Sequence, residues 1–286
     1  MVPSFVTMKR LVTGLAIAAI TAYAAAMVWL VSQETNLVFR AHRPLGDLRP
    51  ALPFEEVRID AETGAQPAWI VRATASSPGA SDTRPWVIYF HGNDANIASR
   101  LNILHYEQLA KLGLNVIAPE YRGFAGLHGT PSEEGLAHDA RAAYDYLRHQ
   151  LRVEPRRIVI YGWSLGSAVA VTLASQADEG AVVLEGAPAS IVDIGAQRYP
   201  FFPIRWLIRN PFESIVRISS VGSPLLFLHS PEDTIVPIAE GRRLFAAAAP
   251  PKQFVEVSGG HVYASEKDPR FFPAIRAFLH GVQLIP

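Results

Sequence analysis

The most informative part of this sequence is GWSLG at residues 162–166. It follows an apolar run from Arg157 to Tyr161 and precedes a stretch, 164–176, with the composition of a buried helix. A serine between two glycines at a strand-to-helix junction is typical of a nucleophile elbow, a turn too sharp for bulky flanking side chains. The motif therefore predicts that Ser164 is a nucleophile and that other residues of the chain support it.

Short apolar runs alternate with helical patterns on both sides of this motif. Repeated strand and helix units of this length predict an α/β fold, a mostly parallel sheet with helices on both faces. Strands are expected at residues 85–90, 115–118, 157–161, 181–184, 224–228 and 253–257, after a hairpin formed by 54–60 and 68–73. Helices are expected at residues 96–112, 164–176, 239–248 and 269–282, and from Thr130-Pro131 to about Leu151, with threonine as the cap.

The N-terminus has the pattern of a membrane anchor. Lys9 and Arg10 precede an uncharged stretch from Leu11 to Gln33, and about 20 apolar residues suffice for a membrane-spanning helix. The basic pair favours the cytoplasmic side, so the rest of the chain is expected on the non-cytoplasmic side, the periplasm in a bacterium. A cleaved signal peptide, leaving a soluble secreted or periplasmic form, is the alternative, because residues 22–26 contain A-x-A sites. The length of the uncharged run favours the anchor.

Composition restricts the chemistry of the remaining residues. The 286-residue chain has 26 Lys plus Arg and 26 Asp plus Glu, a balance that gives no indication of a nucleic-acid partner. It contains no cysteine, which excludes disulfides, thiolate nucleophiles and cysteine-ligated metals. No metal-ligand spacing or nucleotide-binding glycine pattern occurs, so neither a metal nor a cofactor is expected. The sequence does not indicate an oligomeric state.

A serine hydroxyl needs a histidine base and an acid that orients the histidine. In a fold of this kind the order along the chain is Ser, acid, His, and each residue follows the C-terminal end of a strand. Asp233 follows the predicted strand 224–228, and His261 follows 253–257. We therefore predict a triad of Ser164, Asp233 and His261.

Two other acids remain as alternatives for the orienting role. Glu232 is the more serious one because it adjoins Asp233, and Asp193 is the other. His229 ends a strand beside the proposed acid and is interpreted as structural, as is Arg122, which is expected to tie loops together. The remaining histidines on the linker and on predicted helices are expected to be solvated or hydrogen-bonded; they are His42, His105, His138, His149 and His280.

Stabilising an oxyanion requires two backbone NH groups aimed at one point. The residue after the nucleophile, Leu165, is expected to supply one of them from the positive end of its helix. The second is expected from the loop HGN at residues 91–93, which follows the strand 85–90. Asn93 is the candidate donor there.

Several motifs together resemble a known family. They are HGN (91–93), EYRGF (120–124), GTPSEEGL (129–136), GWSLGSAVA (162–170), RYPFFPIRWLIRNPFES (198–214), HSPEDTIVP (229–237) and GGH (259–261). They are similar to the Bem46-like branch of the α/β-hydrolase superfamily, which includes membrane-anchored ABHD13-type and ABHD17-type serine hydrolases. The resemblance implies an α/β-hydrolase fold with an eight-stranded sheet and the triad Ser164, Asp233 and His261.

The sequence also predicts a domain organisation. Residues 1–33 are expected to form the anchor or signal peptide, 34–53 a linker, and 54–286 the hydrolase domain, with an insertion at 191–220 where folds of this kind place a short helical cap. Aromatic residues alternate with arginines in that insertion: Tyr199, Phe201, Phe202, Trp206 and Phe212 with Arg198, Arg205, Arg209 and Arg217. Packing of the aromatic rings onto the core is the favoured interpretation. The alternative is a face that meets lipid headgroups and admits an acyl chain.

The sequence thus predicts a membrane-anchored serine hydrolase that cleaves an ester or thioester through an acyl-enzyme intermediate. Its expected substrate is a small or lipid-like acyl compound. An aminopeptidase or acyltransferase using the same triad is one alternative. A non-catalytic anchored scaffold is another, because a fold does not by itself imply an activity.

Overall fold

The computed structural model describes residues 5–62, 64–74 and 84–286, which contain one eight-stranded sheet. Its strands are β1 (Phe54–Ala61), β2 (Gly64–Val71), β3 (Trp86–Phe90), β4 (Asn115–Pro119), β5 (Ile158–Trp163), β6 (Ala181–Glu185), β7 (Leu225–His229) and β8 (Lys252–Glu256). They lie in the order β1-β2-β4-β3-β5-β6-β7-β8. Strand β2 is antiparallel to both neighbours and all other pairs are parallel, so the predicted fold class is confirmed.

The described residues form the helices α1 (Phe5–Ser32), α2 (Glu34–Val38), α3 (Arg100–Lys111), α4 (Glu133–Asp145), α5 (Leu165–Ala174), α6 (Ile191–Arg198), α7 (Ile204–Leu207), α8 (Ser214–Arg217), α9 (Ile238–Ala247), α10 (Gly260–Lys267) and α11 (Phe271–Gly281). Helices α4, α5 and α9 cover one face of the sheet, and α3 and α11 cover the other. Alternate strand residues point to opposite faces. Ile88 and Ile160 therefore pack on the side of α4, α5 and α9, whereas Val87 and Val159 pack on the side of α3 and α11. The central strands are buried on both faces, as their continuous apolar sequences predicted.

Two predicted helix starts are wrong by a few residues. Helix α4 is capped by Ser132, whose hydroxyl accepts from the NH of Gly135 at 3.0 Å, and not by Thr130. Helix α3 begins at Arg100, four residues later than expected. The side chain of Asn96 accepts from the NH of Ala98 and donates to the carbonyl of Pro44, and these bonds hold a turn where a helix was predicted.

The chain before β1 consists of a long apolar helix and a segment that packs on the domain. Residues 8–32 of α1 are long and apolar enough to cross a membrane, a property that an anchor and a signal sequence share. Residues 34–53, expected to be a linker, include α2 and a fully buried Phe39. The Phe39 ring packs edge-on against Phe124 and Phe212 at centroid distances of 6.5 and 5.9 Å. Burial of this ring holds the segment on the domain.

Candidate active site

The turn at GWSLG has the strained geometry of an elbow. Strand β5 ends at Trp163, and Ser164 has φ 55° and ψ −119°, an unusual conformation for a residue other than glycine. Its NH donates to the carbonyl of Glu185 at 2.8 Å, and helix α5 begins at the next residue. The hydroxyl of Ser167 donates to the carbonyl of Gly162 at 2.7 Å and closes the turn from inside.

Steric crowding explains both glycines of the motif. A Cβ on Gly162 would overlap the carbonyl oxygen of Gly166, and a Cβ on Gly166 would overlap the carbonyl oxygen of Phe90. These obstacles are backbone atoms, which no side-chain rotation removes. The first turn of α5 therefore approaches β3 and β5 at a distance that only glycine permits.

The structure brings together the three residues predicted as a triad. His261 Nε2 lies 2.7 Å from Ser164 Oγ, and His261 Nδ1 lies 2.6 Å from Asp233 Oδ2. The three residues follow the C-terminal ends of β5, β7 and β8, which meet at one edge of the parallel sheet. Helix α10, which the sequence analysis did not predict, carries His261 in its first turn.

The carboxyl group of Asp233 is held as an anion. Its Oδ1 accepts from the NH groups of Ile235 and Val236 at 2.9 and 2.8 Å, and His229 Nε2 lies 3.5 Å from Oδ2. Burial alone would raise the pKa of Asp233, but hydrogen bonds from His229, His261 and the NH of Val236 outweigh it. The pKa therefore lies well below its ordinary value.

The two alternative acids contact other groups. Glu232 is exposed and accepts from the NH of Gly259 at 2.9 Å. Asp193 forms ion pairs with Arg205 and Arg243 at 2.5 Å each. His229, interpreted as structural from the sequence, bonds through Nε2 to the carbonyl of Val236 and so supports the acid's loop.

The loop HGN lies directly against the serine. A Cβ on Gly92 would stand 3.3 Å from the Cβ of Ser164, so the backbone entering Asn93 passes beside the hydroxyl. The side-chain amide of Asn93 donates away from the site, to the carbonyl of Val38 at 3.0 Å. Among the described residues, neither the NH of Asn93 nor the NH of Leu165 occurs in the backbone–backbone hydrogen bonds of the turns and loops.

A buried contact between a histidine and a carboxyl group supports this loop. His91 Nε2 lies 2.8 Å from Glu120 Oε1, and both side chains are fully buried. The other oxygen of Glu120 accepts from the NH of Ile97 at 3.0 Å, so one carboxylate directly after β4 holds both His91 and Ile97, the two ends of the segment 91–97. The only indication of this contact in the sequence is that Glu120, the first residue of the motif EYRGF, directly follows a strand.

Two further polar pairs surround the site. His105, expected to be solvated or hydrogen-bonded, is buried, and its Nε2 lies 2.9 Å from Glu185 Oε2 behind the elbow. Arg122 donates to Asp139 at 2.7 and 3.0 Å and connects the loop after β4 to α4, which confirms its predicted structural role. Sequence reasoning missed the contact of Trp163, whose indole NH donates to the carbonyl of His261 at 3.2 Å.

Comparison with known proteins identifies relatives along most of the chain. A sequence profile of the alpha/beta hydrolase family matches residues 87–280. An uncharacterized Mycobacterium tuberculosis protein, Rv2307c, is 38% identical over 258 residues, covering 88% of this chain and 89% of the relative. The lysophosphatidylserine lipase ABHD12 of Macaca fascicularis is 30% identical over 210 residues, 67% of this chain and 50% of the relative.

A solved structure shares the fold. The Pyrococcus furiosus esterase Pf2001 superimposes with a TM-score of 0.70 at 19% identity, covering 84% of this chain and 96% of the esterase. At that identity the superposition supports the architecture and says nothing about the substrate.

Proposed function

Because the chain belongs to the alpha/beta hydrolase family, we propose that it is a membrane-anchored serine hydrolase acting on an ester or thioester. One observation carries the proposal: the chain of contacts from Ser164 Oγ through His261 to Asp233, at 2.7 and 2.6 Å. This arrangement activates a hydroxyl that is otherwise a poor nucleophile at neutral pH.

The proposed reaction has two halves. Ser164 Oγ attacks the acyl carbonyl while His261 Nε2 takes its proton, and the anionic Asp233 stabilises the imidazolium that forms. The NH groups of Asn93 and Leu165 stabilise the oxyanion, and each such donor contributes roughly 3–4 kcal/mol. His261 then protonates the departing alcohol or thiol. In the second half, His261 takes a proton from water as the water oxygen attacks the acyl carbonyl. The bond from the acyl carbon to Ser164 Oγ then breaks, and His261 returns the proton to Oγ, which releases the carboxylic acid and regenerates the Ser164 hydroxyl.

The substrate we propose is a lipid-like acyl ester, and the domain lies on the non-cytoplasmic side. One relative is named a lysophosphatidylserine lipase, and α1 supplies a helix long enough to tether this chain to a bilayer. Lys9 and Arg10 before the apolar run support the proposed orientation.

A fluorophosphonate probe tests the nucleophile, because it labels activated serines. We expect labelling of the wild-type chain, none of Ser164→Ala, and full labelling of Ser175→Ala. Ser175 is a suitable control because its hydroxyl donates to the carbonyl of Thr172 at the far end of α5. Labelling that persists in Ser164→Ala would refute the assignment. Absence of any labelling in the folded wild-type chain would favour a scaffold.

A substrate series tests the reaction class. p-Nitrophenyl esters of increasing acyl length, matched anilides and a thioester are compared on the same preparation. Ester or thioester turnover well above anilide turnover is expected. Preferential anilide cleavage would indicate a peptidase, and acyl transfer to an added alcohol in preference to water would indicate an acyltransferase.

A further inference from the structure

Helix α1 contacts the insertion at 191–220 well before its own C-terminal end. The ring of Tyr23 stacks on Phe202 with a centroid distance of 5.4 Å and an interplanar angle of 2°. Its hydroxyl donates to the carbonyl of Phe201 at 2.8 Å. Leu30, two turns further along, is buried against Val192 of α6 and Ile204 of α7.

These contacts lie within the stretch of α1 that would cross a membrane. The basic pair ends at Arg10, and a span of about 20 residues from Leu11 ends near Leu30. Tyr23 lies about 10 Å inside that end, at 1.5 Å per residue. The part of the insertion that touches Tyr23 is therefore at the depth of the hydrocarbon of the leaflet on the domain's side.

The surface of the insertion exposes large aromatic side chains on the part that contacts α1. Phe201 is 84% exposed and Trp206 is 90% exposed, the two largest exposures among the large apolar side chains of the described residues. Arg205 is also exposed and pairs with Asp193 at 2.5 Å. Exposed aromatic rings are costly in water, whereas tryptophan is enriched at membrane interfaces and arginine stems extend through apolar surroundings to headgroups.

We propose that residues 199–208, which we term the cap tip, are immersed in the bilayer beside α1, so that the enzyme takes an acyl lipid from that leaflet. This inference rests on the proposed retention of α1 as an anchor. Packing onto the core, the interpretation favoured from the sequence, holds for Phe212 but not for Phe201 or Trp206.

The chain that leaves the membrane leads directly to the site. Glu34, at the start of α2, accepts from the NH groups of Arg209 and Asn210 and fixes the insertion to the end of α1. At the other end of α2, the carbonyl of Val38 holds the side chain of Asn93. Along the chain, this short helix joins the end of α1 to the residue that holds Asn93, and this short connection supports delivery of an acyl ester from the leaflet to Ser164.

The absence of cysteine from the natural sequence makes site-specific labelling straightforward. Four single-cysteine variants of the full chain are labelled with bimane in phosphatidylcholine vesicles: Phe201→Cys, Trp206→Cys, Leu15→Cys and Arg156→Cys. The label at Leu15 is the reference for a position on α1. The label at Arg156 is the reference for a position in water, because this side chain is 90% exposed and precedes β5, at the end of the sheet opposite the site. Iodide quenches labels in water, and acyl-brominated phosphatidylcholine quenches labels among lipid chains.

We expect the labels at 201 and 206 to be quenched in the same way as the label at 15. Brominated lipid should quench them several-fold more strongly, and iodide more weakly, than it quenches the label at 156. If the labels at 201 and 206 are quenched by iodide as the label at 156 is, while the label at 15 is still quenched by brominated lipid, the inference is overturned. The proposal that α1 is a membrane anchor would then still hold. Protection from both quenchers would indicate a protein partner or a second copy, and also overturns it. Loss of the 15 label by N-terminal cleavage, seen in the intact mass, would remove the anchor and the inference together. None of these readouts depends on hydrolysis.

Discussion

The carboxylate of Glu34 accepts hydrogen bonds from both nitrogens of Asn210, the backbone NH and the side-chain amide, at 2.8 Å each. The NH of Arg209 donates to the same oxygen at 2.8 Å. Glu34 is buried, so three donors of the insertion depend on one oxygen beside the end of α1.

Removing that oxygen is expected to loosen the insertion. Glu34→Ala leaves three donors without their acceptor and is expected to lower the free energy of unfolding by about 3 kcal/mol. Glu34→Gln keeps an oxygen in the same place and is expected to lose less than half as much. Urea unfolding of both variants in detergent measures the difference. An alanine variant as stable as wild type would show that the insertion is held without this carboxylate.

Adding even one methyl group at the elbow is expected to destabilise the fold. Gly166→Ala places a Cβ on the carbonyl oxygen of Phe90, so we expect a loss of at least about 3 kcal/mol or failure to fold. Gly222→Ala is the matched control, because a Cβ there has no heavy atom within 4 Å. It is expected to change stability by less than about 0.5 kcal/mol. Equal thermal shifts for the two variants would contradict the steric explanation.

The acid is tested by comparing two neighbouring carboxylates. Asp233→Asn no longer stabilises the imidazolium of His261, and kcat for ester hydrolysis is expected to fall by about 10³–10⁴-fold. Glu232→Gln alters a surface contact with Gly259 and is expected to keep kcat within a few-fold of wild type. If Asp233→Asn retains a tenth of the activity or Glu232→Gln abolishes it, the orienting acid has been misassigned.

Acid pH is expected to weaken the same site. The folded-state pKa of Asp233 lies below its ordinary value of 3.8, so the folded state favours the anion more than the unfolded state does. The resulting stabilisation is fully present above the ordinary pKa and is lost as pH falls below it. The difference in unfolding free energy between wild type and Asp233→Asn is therefore expected to shrink below about pH 4. A difference that stays constant down to pH 2.5 would contradict this linkage.

A second carboxyl group is expected to act in the opposite direction. Burial raises the pKa of Glu179 from 4.5 to about 7. The hydroxyl of Ser223 donates to its carboxyl group at 2.6 Å, and this hydrogen bond only partly offsets the effect of burial. Between pH 4.5 and pH 7 the Glu179 carboxyl group is ionised in the unfolded chain but protonated in the folded chain. The free energy of unfolding therefore declines as pH rises from about 4.5 to 7 and levels off at higher pH. Glu179→Gln is expected to remove roughly 2 kcal/mol of that decline between pH 5 and pH 8. If the free energy of unfolding depends on pH in the same way in Glu179→Gln and in the wild type, the raised pKa of Glu179 is contradicted.

Local sequence predicted the elements whose residues have little freedom. Strands β3 and β5 are read from continuous apolar runs because both of their faces are covered, and the elbow is read from its two glycines because only hydrogen fits there. The boundaries of α3 and α4 were less predictable. Side-chain hydrogen bonds of Asn96 and Ser132 determined where each helix begins.

The sequence by itself determined the α/β class, the order of Ser164, Asp233 and His261, and a helix long enough to span a membrane, because each depends on neighbouring residues or on chain order. Only the tertiary structure decided that His261 contacts Asp233 rather than Glu232, that Phe39 enters the core, and that Tyr23 meets the insertion. Tyr23 and Phe201 are 178 positions apart. Contacts over such separations leave no local pattern, since they depend on how the completed sheet orients its loops and how much apolar area each ring then buries.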